Sequence, residues 1–182
     1  FSQIDSVMEM AKKIDAIVFL DIQIGLSDLQ REVPELEKYL KLPNVHLGID
    51  PEFSMKGSDK PGSVIGTFDA SDINYAADYL TKLVKNNNLP PKILVVHRFT
   101  QGMVKEYEQI KTRPQVQMVM HMDGWGQPAR KIAAYKQFIY KEPVEYAGLK
   151  IFYKNDMKDN SRLLTPGELL SLKPQPVYIQ YQ

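Results

Sequence analysis

Short apolar runs that stop at a polar or ionisable residue recur along the chain, with helical patterns between them. Ala16–Leu20 stops at Asp21, His46–Ile49 at Asp50, Ile93–Val96 at His97, Val116–Met122 at Asp123, and Leu149–Phe152 at Tyr153. A sixth run, Val177–Tyr181, lies at the end of the chain. Uninterrupted runs of β-branched and large apolar residues read as strands buried on both faces, the mark of a parallel sheet covered by helices. Strands are expected over 16–22, 45–50, 92–97, 116–122, 149–153 and 177–181. Apolar residues at helical spacing predict a helix with Ile4, Val7, Ala11 and Ile14 on one face, and a second with Leu29, Val33, Leu36 and Leu40. Ser27 and Gln30 read as a capping box for the second, and Pro34 weakens its middle. Ser71 caps the clearest helix, whose stripe is Ile73, Ala76, Ala77, Leu80, Leu83 and Val84. Further helices are expected over about 101–111 and 128–139. Thr165-Pro166-Gly167-Glu168 opens another, combining an N-cap Thr, Pro at N1 and Glu at N3.

Strand starts near residues 16, 46, 92, 116, 149 and 177 suit repeated βα units in one domain, 1–182. Two architectures fit. One is a (β/α)8 TIM-barrel-like fold with six of its eight units in this chain. The other is an open doubly wound parallel sheet. Polar groups at the ends of several different strands favour the barrel, because barrels draw their site residues that way, whereas open sheets concentrate them at one switch point. Six strands leave an open seam, so upstream units or a partner chain closing it are expected. The chain begins at Phe1 and enters a helical pattern directly, which agrees with a processed or partial chain.

Composition narrows the partners. Hydrophobic residues make up 43% and charged residues 25%, ordinary for a globular domain, and the formal net charge is +1. Basic residues are interspersed with acidic ones, so no electrostatic footprint for nucleic acid is visible. No apolar stretch approaches the length of a membrane span. Without cysteine there is no disulfide, thiolate chemistry or Cys-based zinc site. The Gly-containing connection 51–70 matches neither the phosphate-cradling loop nor the dinucleotide fingerprint.

Candidate chemistry sits at the strand ends. In Asp50-Pro51-Glu52, proline forces the chain out of the sheet at its mouth, and the two-residue spacing lets both carboxylates face one cavity. Neighbouring carboxylates push one proton affinity up, leaving an acid beside an ionised partner, as glycoside hydrolysis requires. Asp123 heads the turn Asp123-Gly124-Trp125-Gly126, which places Trp125 at a rim. Asp21 and Gln23 repeat the two-apart polar pattern. His97 could act as a base, a ligand or a satisfied core histidine. Tyr153 and Asp156 add a phenol and a carboxylate at another strand end. His46 reads as structural, and His121, two residues before Asp123, could face the same way. Met118, Met120 and Met122 read as core.

The string Leu20-Asp21-Ile22-Gln23 with Gly25, Ser27 and Asp28, then Asp50-Pro51-Glu52, Pro61-Gly62, Ile65-Gly66, Val95-Val96-His97, Phe99, Gly102-Met103, Asp123-Gly124, Gly126 and Lys150–Tyr153 resembles a family of uncharacterised bacterial secreted proteins and lipoproteins. The resemblance covers nearly the whole chain from about Ala16. It implies a barrel-like fold with extra upstream βα units and a secreted or cell-envelope location. Phe53 and Arg98 depart from it, where the family tends to carry Trp and Gln, and both are expected at the rim. More loosely, Asp50-Pro51-Glu52 and Met120-His121-Met122-Asp123 are similar to the strand-end motifs of chitinase-type barrel glycoside hydrolases, with Met122 in place of their Tyr.

Three functional expectations follow. The first is a hydrolase acting on a glycan or other small polar substrate, with Glu52, Asp50 and Asp123 catalytic and Asp21, Gln23, His97, Trp125 and Tyr153 binding substrate. The second is a metal-dependent hydrolase with a divalent ion at Asp21, Asp50, Glu52, His97 and Asp123; the first needs no cofactor. The third is a non-catalytic glycan-binding or surface module. A shared geometrical expectation is that Asp21, Asp50, Glu52, His97 and Asp123 converge on one cavity.

Overall fold

Residues 2–182 are described by a computed structural model. In chain order the elements are α1 (Ser2–Lys13), β1 (Val18–Ile22), α2 (Leu29–Glu35), α3 (Glu37–Leu40), β2 (Val45–Ile49), β3 (Phe68–Asp69), α4 (Ala70–Asn87), β4 (Lys92–Arg98), β5 (Val104–Lys105), β6 (Val116–Met122), α5 (Pro128–Tyr135), β7 (Tyr146–Ile151), α6 (Pro166–Leu170) and β8 (Tyr178–Tyr181). All six expected strands form. They make one parallel sheet in the order β1-β2-β4-β6-β7-β8, with no reversal of strand order.

The sheet is curled into a half-barrel. In a flat sheet, strands five places apart would lie about 24 Å from each other, at roughly 4.8 Å per step. Yet the Phe19 ring on edge strand β1 sits 5.0 Å from the Tyr178 ring on the opposite edge strand β8. The helices cover the convex face only. Val45, Leu47 and Ile49, Leu94 and Val96, Met118, Met120 and Met122, and Ala147, Leu149 and Ile151 all join the helix-facing core, every second residue of each strand. The intervening residues line the concave face. Toward the amino ends of the strands that face is apolar, with a recess of about 480 Å³ bounded by Ile17, Phe19, Val119, Tyr146 and Tyr178. Toward the carboxyl ends it becomes polar.

The long helix α4 keeps its expected stripe: Ile73, Ala76, Ala77 and Leu80 are fully buried and Leu83 and Val84 nearly so. Several boundaries differ from expectation. Asp28, not Ser27, caps α2, its carboxylate accepting from the Arg31 backbone N–H at 2.9 Å. Pro34 does more than weaken the helix, for the segment divides into α2 and α3. Asp69, not Ser71, caps α4 and donates its backbone N–H to Asp72 at 2.9 Å. On α1 the packed face is Ile4, Met8 and Ala11, while Val7 and Ile14 are exposed. The helix expected over 101–111 is absent. In its place are two 3-10 turns and β5, which pairs with β3 to form a separate two-stranded sheet. That small sheet ties the 51–69 connection to the loop after β4.

No described helix is long and apolar enough to cross a membrane.

Candidate functional site

A cavity of about 410 Å³ opens at the carboxyl ends of the strands. Gln23, Asp50, Glu52, Asp123 and Trp125 line it, together with Phe99, Arg130, Lys131, Lys150 and Phe152. Five of the eight expected site residues therefore share one wall or another of the same space.

Asp50 leaves β2 pointing inward, and Pro51 starts a 3-10 turn that carries Glu52. Both oxygens of Asp50 are engaged: Oδ1 accepts the Glu52 backbone N–H at 2.9 Å, and Oδ2 accepts from Gln23 Nε2 at 2.6 Å. Asp50 thus holds the turn and has no free oxygen turned to a substrate. Glu52 is the half-buried group the turn presents. Burial raises its proton affinity above that of an ordinary glutamate, and the charges of Asp50 and Asp123 raise it further, against Lys150 and His97. The turn is held from the other side by Gly66, whose N–H donates to Glu52 O at 2.6 Å.

One layer below, His97 links two carboxylates. Its Nδ1 lies 3.0 Å from Asp123 Oδ2 and its Nε2 lies 3.2 Å from Asp21 Oδ1. Asp21 reaches it by lying across Gly48, where a Cβ would fall 1.4 Å from Asp21 Oδ1. Burial alone would lower the affinity of His97 for a proton. The bonds to Asp123 and Asp21 outweigh it and raise the pKa to about 10, so the ring is an imidazolium at neutral pH. His121 packs edge-on against it at 5.2 Å and bonds Gln180 at 3.1 Å. Burial, then the charge of His97, keeps His121 neutral. Asp123 lines the cavity, and its Oδ1 is buried and without a hydrogen-bond partner among the described residues.

The expected five-way convergence is therefore partial. Asp50, Glu52 and Asp123 reach the cavity, while Asp21 and His97 do not line it and connect to it only through Asp123. His97 has both nitrogens occupied, by Asp123 and Asp21, while Asp21 uses Oδ1 for His97 and is itself exposed. Among the described residues no group of three or more His, Asp or Glu is arranged to hold a metal ion. Tyr153 also falls outside. β7 ends at Ile151, its inward parity runs through Lys150 and Phe152, and Tyr153 instead stacks on Tyr181 at 5.6 Å in solvent. Trp125 is at the rim, but its ring already carries Lys158 at 4.8 Å and Arg130 at 5.5 Å. Arg98 is fully buried on the helix-facing side, paired with Glu142 at 2.6 Å, and not at the rim.

The cationic wall escaped the sequence reading. Lys150 sits inside an apolar run, but at an inward position of β7, so period-two parity marks it. Lys131 is buried at the foot of α5, 3.2 Å from Asp156 and donating to Gly124 O at 2.8 Å. Asp156 also accepts the N–H groups of Gly126 at 2.8 Å and Phe152 at 2.9 Å. This buried pair fixes the 124–126 turn to the end of β7, which is the part Asp156 plays here.

The His97 bridge has a measurable consequence. Folded His97 keeps its proton to about pH 10, whereas an unfolded histidine loses it near 6.5. The stability from that proton is full below about pH 6.5 and falls as pH rises toward about 10. Lys92, lowered by burial from 10.5 to about 8, acts with the opposite sign above pH 8. His121 and His46, held neutral by burial, act with the opposite sign until their unfolded forms lose the proton near pH 7; from about pH 7 to 8 His97 dominates, with a slope below ~1.4 kcal/mol per pH unit. The expected result is a lower Tm at pH 8.0 than at pH 7.0; a flat or rising Tm would contradict the imidazolium.

No protein-family model, curated protein or solved structure matches this chain.

Proposed function

We propose that the chain is a barrel-type hydrolase acting on a glycan, with Glu52 as general acid. The observation that carries this reading is the position of Glu52. It lines a cavity shared with Asp123, and its surroundings hold its proton more tightly than water would. Environments that separate two carboxylates in this way assign the roles of acid and charge stabiliser. Glu52 would protonate the glycosidic oxygen as the bond breaks, and water adding at the anomeric carbon would return a proton to Glu52. Asp123, held at Oδ2 by His97, would set its negative charge against the positive charge that develops on the sugar. Asp50 orients Glu52, and Gln23 orients Asp50. Phe99 and Phe152 offer aromatic surface to a sugar face.

Helices on one face and the meeting of β1 and β8 side chains support an eightfold barrel, with further βα units or a partner chain closing the seam. The resemblance to bacterial secreted proteins and lipoproteins supports a cell-envelope or secreted location. A metal-dependent reaction is the weaker reading, because Asp21 and His97 occupy each other's ligating atoms.

Release of reducing ends from a panel of polysaccharides and aryl glycosides tests the reading. Turnover of at least one substrate, lost in Glu52→Gln, is the expected result. A glycan bound equally by both proteins and turned over by neither would make the chain a binding module instead.

A further inference from the structure

The cavity is divided by charge. Asp50 and Glu52 stand on the wall built by β2, while Lys150 from β7 and Arg130 and Lys131 from α5 stand on the other. Lys131 is satisfied by Asp156 and Gly124. Lys150 and Arg130 are not. Lys150 lies over the Phe152 ring at 4.9 Å and Arg130 over the Trp125 ring at 5.5 Å, and neither has a hydrogen-bond acceptor or carboxylate partner among the described residues. Lys158 lies over the Trp125 ring at 4.8 Å, in the adjoining recess it shares with Arg130, and adds a third such cation beside the rim.

A half-buried ammonium is stripped of water when a ligand fills the cavity, and a neutral sugar returns only weak acceptors for it. A carboxylate returns a charge-assisted hydrogen bond, and a guanidinium at the rim can add a two-pronged one. We propose that the glycan is acidic, with a uronate carboxylate bound by Lys150 and steered by Arg130 and Lys158. This rests on the glycan reading above and names its substrate class. The neutral hydroxyl side of the same sugar would face the wall that carries Glu52, so the two walls would also fix its direction.

Calorimetric titration tests this without requiring turnover. The probes are tetragalacturonate, its methyl ester, tetramannuronate and a hyaluronan hexasaccharide, with cellohexaose and chitohexaose as neutral counterparts. The tightest binder should be an acidic oligosaccharide, at least about tenfold tighter than any neutral one, the size of one good ionic contact. Lys150→Met should remove about that factor and Lys150→Arg should restore most of it; Arg130→Gln, at an exposed position, should cost less. A neutral oligosaccharide as the tightest binder, or an acidic one indifferent to Lys150→Met in a folded variant, overturns the acidic-substrate inference and leaves the glycan reading standing. Binding to no member of either set removes both.

Discussion

Replacing Glu52 by Gln is expected to lower kcat by about 10²–10⁴, the range for loss of a general acid, while changing substrate affinity little. The amide keeps the shape and the hydrogen-bonding reach of the carboxyl group but cannot deliver a proton to a leaving oxygen. The fold should not notice. Glu52 is only half-buried, its side chain anchors nothing, and the turn is held by its backbone N–H and C=O, which the substitution keeps. A melting temperature close to that of the parent, together with the loss of kcat, separates chemistry from folding. Substrates with good leaving groups should be affected less, because a phenolate departs with little protonation. Equal loss on aryl and alkyl glycosides would instead point to a positioning defect.

The second large effect is expected at a residue with no side chain. A Cβ on Gly66 would lie 2.4 Å from Pro51 O, 2.4 Å from Ser54 O and 2.5 Å from Ser54 N. These are backbone atoms, so no rotamer change relieves the overlap, and the 51–54 turn must separate from residue 66. The bonds from Gly66 N to Glu52 O and from Thr67 N to Ser54 O would lengthen or break. Gly66→Ala should therefore cost about 2–3 kcal/mol, in the upper range for overpacking. At ~2–4 °C per kcal/mol for a chain of this size, Tm should fall by about 4–12 °C. It should also cut kcat, because Glu52 rides on the displaced turn. Gly57→Ala in the same connection is the control, since a Cβ there meets nothing within 4 Å. Equal melting of the two variants would show that the turn does not depend on the close approach of Gly66.

The strands and their polar ends were readable because a parallel strand covered by helices declares itself through uninterrupted apolar runs, and because chain direction alone puts each terminal residue at one mouth. The stripe of α4 was readable for the same local reason. What escaped depends on partners distant in the chain. The 101–111 segment looks helical by spacing, yet Val104 and Lys105 pair with Phe68 and Asp69, a choice made by tertiary contact. The contact between Asp21 and His97 was not legible either, since it depends on the space left by Gly48 on the neighbouring strand. Tyr153 was misplaced by a single residue of register. Phe152 is the last inward position beyond β7, and parity then turns Tyr153 outward. The same parity, applied inside the run, exposes Lys150 as a cavity residue.

The two parts of the site have opposite electrostatic logic. Above, burial and then the charges of Asp50 and Asp123 raise the affinity of Glu52 for its proton. Below, Asp21 and Asp123 make His97 keep its own. Asp123 belongs to both, because its charge acts on Glu52 and its Oδ2 bonds His97.

The pH dependence of kcat/KM on the best glycan tests the role of Glu52 most directly, since its alkaline limb reports the essential acid of the free enzyme. The expected profile has an alkaline limb with a midpoint above the ordinary glutamate value of 4.5, absent from the residual activity of Glu52→Gln. A midpoint at or below that value, or the same limb persisting in the variant, would contradict it.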